Sequence, residues 1–420
     1  MTRRSRRVHV AGGRGVVVGD YATVFQSFTQ SPPSIASFIR SAQFRALVDD
    51  RTQGFVGREF VFEEIRRVLG GAEFASGYVV IRGEPGIGKT ALAASLVVSG
   101  GYVHHFNIAP ENIRSAGQFL QNVCAQLIVR YGLEHATLPP QAAEDAGFMS
   151  QVLAEAAEVA RRQGDSPVVV VVDALDEAED TALPTAANRL YLPRALPEGV
   201  FFVLTTREEA DYRLDVDHAA EISIRDDDPA NRRDVERFIE GFIDDHQDAM
   251  RARMAEWEVS PEAFVEQMTG LSEGNFMYLV HVLPEIAGGR LSRETVGDIS
   301  ALPRGLKSYY QRHWRDMKDL NPERFATLQR PVLCFLATSR EPVTIPQLME
   351  WTRLEPGDVR GVIDEWREFL NSDPEPPPRY RVYHRSFAEF LDEQENLRWY
   401  HSKIAGTALG KVPGFLDTPG

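Results

Sequence analysis

Eight consecutive residues, Gly83-Glu84-Pro85-Gly86-Ile87-Gly88-Lys89-Thr90, have the types and spacing to hold a chain of phosphates. Glycines let successive backbone N–H groups converge on phosphate oxygens with no Cβ in the way. Lys89 would reach the terminal phosphates of a nucleoside triphosphate, and Thr90 would hold Mg²⁺. The apolar run Tyr78-Val79-Val80-Ile81 precedes the loop, and the helix-forming run from Ala91 to Leu96 follows it. A strand before and a helix after are what this loop needs, because the positive end of the helix adds to the attraction for phosphate. The bland alternative is a glycine-rich turn before a helix.

A second cluster lies at Val168-Val169-Val170-Val171-Val172-Asp173-Ala174-Leu175-Asp176-Glu177. An apolar strand ending in Asp is the Walker B arrangement. It would carry Asp173 to the sheet edge beside the loop, to share the Mg²⁺ shell with Thr90. Glu177 or Asp176 could orient or deprotonate the attacking water. The alternative is a buried strand followed by a solvated acidic turn. His104 and His105 have no third ligand at metal spacing and read as structural.

These groups need a scaffold. Five apolar runs, Tyr78–Arg82, Tyr102–Asn107, Pro167–Asp173, Val200–Thr206 and Ala220–Ile224, alternate with helical patterns at 59–69, 115–131 and 148–162. That alternation predicts an α/β fold, a parallel sheet with helices on both faces. A further helix is predicted over 34–48. After Arg225-Asp226-Asp227-Asp228-Pro229 the pattern turns helical, with helices marked by Val235–Ile243, Pro261–Met268 and Phe276–Ile286. The last part reads as a small winged helix. Its helices are predicted near 325–338, 345–352 and 357–370, with a strand at Tyr380–His384. Ser386-Phe387-Ala388-Glu389 has the form of a capping box opening a final helix. The expected divisions are 1–30, a β-like segment; 31–52, a linker helix; 53–226, the phosphate-loop domain; 227–300, a helical domain; 301–395, the winged helix; and 396–420, a tail whose last ten residues are expected to be disordered.

Composition narrows the partners. A net charge of −15 argues against general affinity for nucleic acid or anionic membrane. No apolar run approaches a membrane span. The basic start, Thr2-Arg3-Arg4-Ser5-Arg6-Arg7, has no apolar stretch behind it, so a cytoplasmic location is expected. Cys124 and Cys334 sit in apolar helical patterns and read as core residues.

In order along the chain, these features resemble the NACHT branch of the STAND signalling NTPases, relatives of Orc-like AAA+ ATPases. The Asp173-Ala174-Leu175-Asp176-Glu177 pattern carries the resemblance first. Phe55-Val56-Gly57-Arg58-Glu59 resembles the Gly-Arg-Glu box ahead of the phosphate loop. Phe201 to Arg207 is similar to a sensor strand ending in Thr-Thr-Arg, and Ser272-Glu273-Gly274-Asn275-Phe276 to the Gly-x-Pro segment, with Phe276 in place of proline. Tyr383-His384-Arg385-Ser386-Phe387 resembles the winged-helix motif whose histidine meets the β-phosphate. The resemblance spans about residues 53 to 395.

It implies an ATP/ADP site built from residues 83–91, Gly83 to Ala91, with Val56, Arg58 and His384. It implies Mg²⁺ at Thr90 and Asp173, and catalysis by Glu177 or Asp176 with Arg207 sensing the γ-phosphate. It further implies slow ATP hydrolysis, nucleotide-dependent homo-oligomers and a signalling role in bacterial defence. Val16-Val17-Val18-Gly19-Asp20-Tyr21-Ala22-Thr23-Val24 resembles RHIM-like amyloid-signalling motifs, which would recruit an effector through residues 16–24. The alternative is a β-hairpin packed on the ATPase domain. A second reading of the whole chain is an AAA+ ATPase that remodels or loads a nucleic-acid or protein partner. The acidic residues Asp358, Asp364, Glu365 and Glu368 on the expected third helix of the winged helix count against DNA. A binding-only scaffold is disfavoured by the intact Asp173 and Glu177.

Overall fold

Alternation along the valine run shows how the sheet is built. Val168, Val170 and Val172 enter one apolar cluster, while Val169 and Val171 enter another on the opposite face. A strand buried on both faces needs such a continuous apolar run. The structure, a computed structural model, describes residues 33–164, 167–179, 187–208, 210, 213–373 and 377–409. The segment 1–30, with Val16–Val24, and the last ten residues lie outside the described residues.

Five parallel strands form the sheet: β1 (Gly77–Gly83), β2 (Val103–Phe106), β3 (Val168–Asp173), β4 (Val200–Thr206) and β5 (Ala219–Ile224), in the order β2-β3-β4-β1-β5. The helices Glu59–Leu69 and Lys89–Gly100 cover one face, and Ala116–Tyr131 and Gly147–Gln163 the other. This is the α/β fold with helices on both faces that the sequence predicts. The register pairs Ile81 with Thr205 and Val172 with Leu204, so the carboxyl ends of β1, β3 and β4 lie side by side. In a parallel sheet that edge is where ligands bind.

Beyond Ile224 the chain is mainly helical. A single apolar cluster runs from Val235 to Tyr400. It includes the helices Pro229–Asp245, Phe276–Ala287, Gly305–Leu320 and Arg385–Gln394. A second sheet, antiparallel, consists of β6 (Val343–Thr344), β7 (Leu370–Asp373) and β8 (Arg379–Val382), in the order β6-β8-β7. Among the described residues, no helix is long and apolar enough to cross a membrane.

Several local expectations are corrected. The helix expected over 34–48 is a 3₁₀ turn at Ile35–Phe38 followed by a helix at Ser41–Thr52. The break comes at Ile39, which is extended, and Arg40, whose φ/ψ is non-helical. The helix expected to reach 370 stops at Glu365, and Leu370 instead opens β7. Within the expected tail, Leu397–Leu409 is a helix with Leu397 and Tyr400 buried in the third cluster. The capping box is not formed. His384 is the N-cap, and its Nδ1 accepts the Ser386 N–H.

Candidate nucleotide site

The loop after β1 is shaped by what surrounds it. Gly86 has φ +83°, and a Cβ there would lie 2.5 Å from Asn275 Oδ1, so neither the backbone nor the space admits a side chain. Asn275 Nδ2 donates to Pro85 O at 2.8 Å. The N–H groups of Phe276 and Met277 both donate to Gly86 O, at 3.1 and 3.2 Å. The missing Gly-x-Pro proline therefore has a physical counterpart, because a proline at 276 could not donate this bond. Lys89 Nζ donates to Gly83 O and Glu84 O, at 2.7 and 3.0 Å. Burial pushes its ammonium down to about 8, against the pull of Asp173 and Asp176.

Arg58 supports the loop from below. It is 2% exposed, and its Nη2 donates to Ile87 O at 2.5 Å. Asp234 Oδ2 accepts the Arg58 N–H at 2.9 Å and lies 3.7 Å from Nη1. The guanidinium also sits 5.0 Å from the centre of the Phe276 ring. Burial lowers its pKa to about 10. Gly57 before it has φ +77°, and a Cβ there would collide with the Asp234 carboxylate. The Gly-Arg pair thus joins the loop to the helix Pro229–Asp245.

The acidic groups divide by environment. Asp173 is buried, and its Oδ1 accepts from Thr205 Oγ1 at 2.5 Å. Burial pushes its carboxyl up, while hydrogen bonds from the Thr205 and Thr90 hydroxyls oppose the rise. A carboxylate and a hydroxyl so placed are hard oxygen donors that fit Mg²⁺, and a cation there would restore the charged carboxylate. Glu177 Oε2 accepts the Ala109 N–H at 3.0 Å, and burial pushes the carboxyl up to about 7. Asp176 is instead consumed by cations. Its Oδ2 lies 3.1 Å from Arg207 Nε and 3.3 Å from Arg385 Nη1.

The opposite wall comes from residues 381–389. Arg207 Nη1 donates to both Glu389 oxygens at 2.8 Å, and Arg385 Nε lies 3.1 Å from Glu389 Oε1. Arg51 Nη1 donates to Tyr383 Oη at 2.6 Å, and Arg381 pairs with Glu111 at 2.5 Å. His384 faces Lys89 across the cleft. Burial, then the cations Arg51, Arg207 and Lys89, push its imidazole down to about 3, so it is neutral at pH 7.

Between these walls lies a cleft of ≈330 Å³. It brings together the sequence-predicted Val56, Arg58, Pro85 to Ala91, Asp173, Asp176, Glu177, Arg207 and His384. Gly83 and Glu84 stand behind the loop and hold Lys89 by their carbonyls. Phe55, Phe238, Phe276 and Val280 give one end an apolar lining suited to a base. A larger cleft, of ≈440 Å³, lies beyond Pro85 and Asn275. Glu84, Asp226, Glu273, Glu389 and Glu393 line it, and such a wall would repel a triphosphate. Sequence reasoning missed Arg51, Tyr383, Thr205, Arg385 and Glu389. Signals lay near four of them: Thr205 is inside the Thr-Thr-Arg run, Tyr383 and Arg385 flank His384 in its motif, and Glu389 closes the expected capping box, while Arg51 had none.

Residues 54–203 match the family model of the AAA ATPase domain. Among curated proteins, none matches the chain. Similar solved structures include a RuvB variant of Thermotoga maritima, 12% identical, covering 80% of this chain and 95% of that one at a TM-score of 0.31. Another is Drosophila ORC bound to DNA, 13% identical, covering 84% and 98% at 0.32. Likeness of that order speaks to neither partner nor activity. The loop, the strand ending in Asp173 and the start of β4 all fall within or beside the matched segment, and the match supports a P-loop NTPase domain there.

Proposed function

We propose that the protein is an ATP-operated switch of the STAND class. ADP holds residues 381–389 against the P-loop region, ATP releases them, and the released form assembles into a homo-oligomer. One observation carries this reading: the described side-chain bonds from residues 381–389 to the P-loop region are polar. Arg381–Glu111, Tyr383–Arg51, Arg385–Asp176 and Glu389–Arg207 make the seam, with His384 between them. Exposed ion pairs stabilise by about 0.2–1 kcal/mol each, and in these partly buried pairs the cost of desolvating the charges offsets much of the added attraction. Moving a two-state equilibrium from 1:99 to 99:1 takes about 5.5 kcal/mol of differential affinity. A ligand making two or three charge-assisted hydrogen bonds, about 1.5–3 kcal/mol each, is within that range.

The γ-phosphate would act at Arg207. It would compete with Glu389 for the guanidinium and repel both Glu389 and Asp176. Thr90 and Asp173 would hold Mg²⁺, which supplies charge neutralisation for the phosphates. Glu177 would take the proton of the attacking water, and hydrolysis would reset the closed form. We read the helices between 330 and 365, with β6–β8, as the winged helix of this class. An effector through residues 16–24 remains part of the proposal.

The test is light scattering of the full chain with ADP, then with a non-hydrolysable ATP analogue. Assembly is expected only with the analogue. Glu389→Lys, which places a third cation beside Arg207 and Arg385, is expected to assemble without it. A monomer under every condition would sink the switch. The AAA ATPase match favours a second reading, a motor that remodels a nucleic-acid or protein partner. Assembly that requires added DNA would select it.

A further inference from the structure

We propose that Ser386 and Tyr310 are positioning residues that hold His384 with its proton on Nε2, so that a neutral imidazole presents a hydrogen-bond donor to phosphate in the cleft. The proposal rests on the reading of that cleft as an ADP site. Three contacts fix the direction of the chain. The Ser386 backbone N–H lies 3.2 Å from His384 Nδ1. A backbone N–H can only donate, so Nδ1 presents its lone pair and carries no proton. Ser386 Oγ is 2.7 Å from the same nitrogen, and therefore donates to it as well. Having given its hydrogen to His384, Ser386 Oγ accepts from Tyr310 Oη at 3.1 Å. The order is Tyr310 to Ser386 to His384, and the remaining ring hydrogen is on Nε2.

The surroundings keep that order. Tyr310 is 2% exposed, with its ring between Phe369, Phe387 and Phe390 at centroid distances of 5.2 to 5.6 Å. Burial raises its hydroxyl pKa, so it stays a donor. Burial and the cations Arg51, Arg207 and Lys89 keep His384 from taking a second proton. Tyr310 and Ser386 line the acidic cleft, while His384 lines the nucleotide cleft. The relay therefore passes through the wall between the two. It also explains why Ser386 does not cap its own helix: its hydroxyl is committed to the histidine.

The test uses the full chain with ¹⁵N-labelled histidine and a fluorescent ADP. In the parent protein, His384 is expected to show an unprotonated Nδ1 and a protonated Nε2. Ser386→Ala keeps the backbone N–H but removes the hydroxyl donor, so it is expected to shift the Nδ1 signal without protonating that nitrogen and to speed ADP release about tenfold, the loss of roughly one hydrogen bond. Ser386→Thr keeps the hydroxyl and should restore both. Tyr310→Phe should raise release by a smaller factor. If His384→Ala speeds release but Ser386→Ala changes neither release nor the nitrogen signals, the relay is overturned and the ADP site stands. If His384→Ala leaves release unchanged, the ADP reading itself fails at this residue.

Discussion

Glu177→Gln is expected to lower ATP turnover by about 10²–10⁴-fold while leaving ATP binding largely intact, because the loss is that of a general base. Glutamine keeps the volume, and its amide oxygen can still accept the Ala109 N–H that holds Glu177 in place. What disappears is the group proposed to take a proton from water. Burial has pushed that carboxyl up to about 7, close to the working pH, where a base is most effective. The sign of the pH dependence follows. The deprotonated form is the active one, so turnover should level off above pH 7 and fall roughly tenfold per unit below it. Asp176 is the competitor. It already faces Arg207 and Arg385, and Asp176→Asn would leave two guanidiniums short of an anion. Single-turnover hydrolysis separates the two, since an unchanged rate in Glu177→Gln moves the base to Asp176.

Lys89→Ala should weaken ATP binding by about 10²–10⁴-fold, the equivalent of two charge-assisted hydrogen bonds. Without a ligand the ammonium is shared between Gly83 O and Glu84 O, so its donors are already aimed along the loop. Calorimetric titration measures the effect, and micromolar ATP affinity in the variant would remove the loop as the binding site. The same lysine gives a pH signature. Its ammonium is pushed down to about 8 in the free protein, and a bound phosphate would raise it again. Affinity should therefore be constant below pH 8 and fall above it, with a proton taken up on binding near pH 8.

The sheet was legible because its signals are local. The helix Glu59–Leu69 has the bounds its apolar spacing implies, and the valine run could only be a strand buried on both sides. Gly83 to Thr90 and Asp173 were readable for the same reason: one short segment carries each chemistry. The other wall was not legible. Arg51 meets Tyr383 across 332 residues and Arg207 meets Glu389 across 182, and nothing in either neighbourhood announces the partner. β6 and β7 were missed because each is short and is defined by pairing with β8. Ser386 misled in a different way. Its spacing to Glu389 fits a cap, but the Ser386 hydroxyl bonds to His384 and Tyr310 and the Glu389 carboxylate accepts from Arg207, and these bonds outweigh that local option.

The third apolar cluster, unbroken from Val235 to Tyr400, has a consequence for how the molecule comes apart. Its oily interior belongs to one body, and the two clusters flanking the five-stranded sheet belong to another. Much of what joins the bodies is polar: the charged seam, the Arg58–Asp234 contact and the bonds to Gly86 O. Cooperative melting requires strong coupling between parts; the partly exposed pairs of the seam are individually modest, and the buried Arg58–Asp234 contact is the strongest single link. A ligand held by both bodies binds only while they are docked, and so adds its own binding energy to their coupling. If nucleotide binds in the cleft as proposed, the number of transitions this chain shows on heating is expected to depend on it as well as on the chain itself.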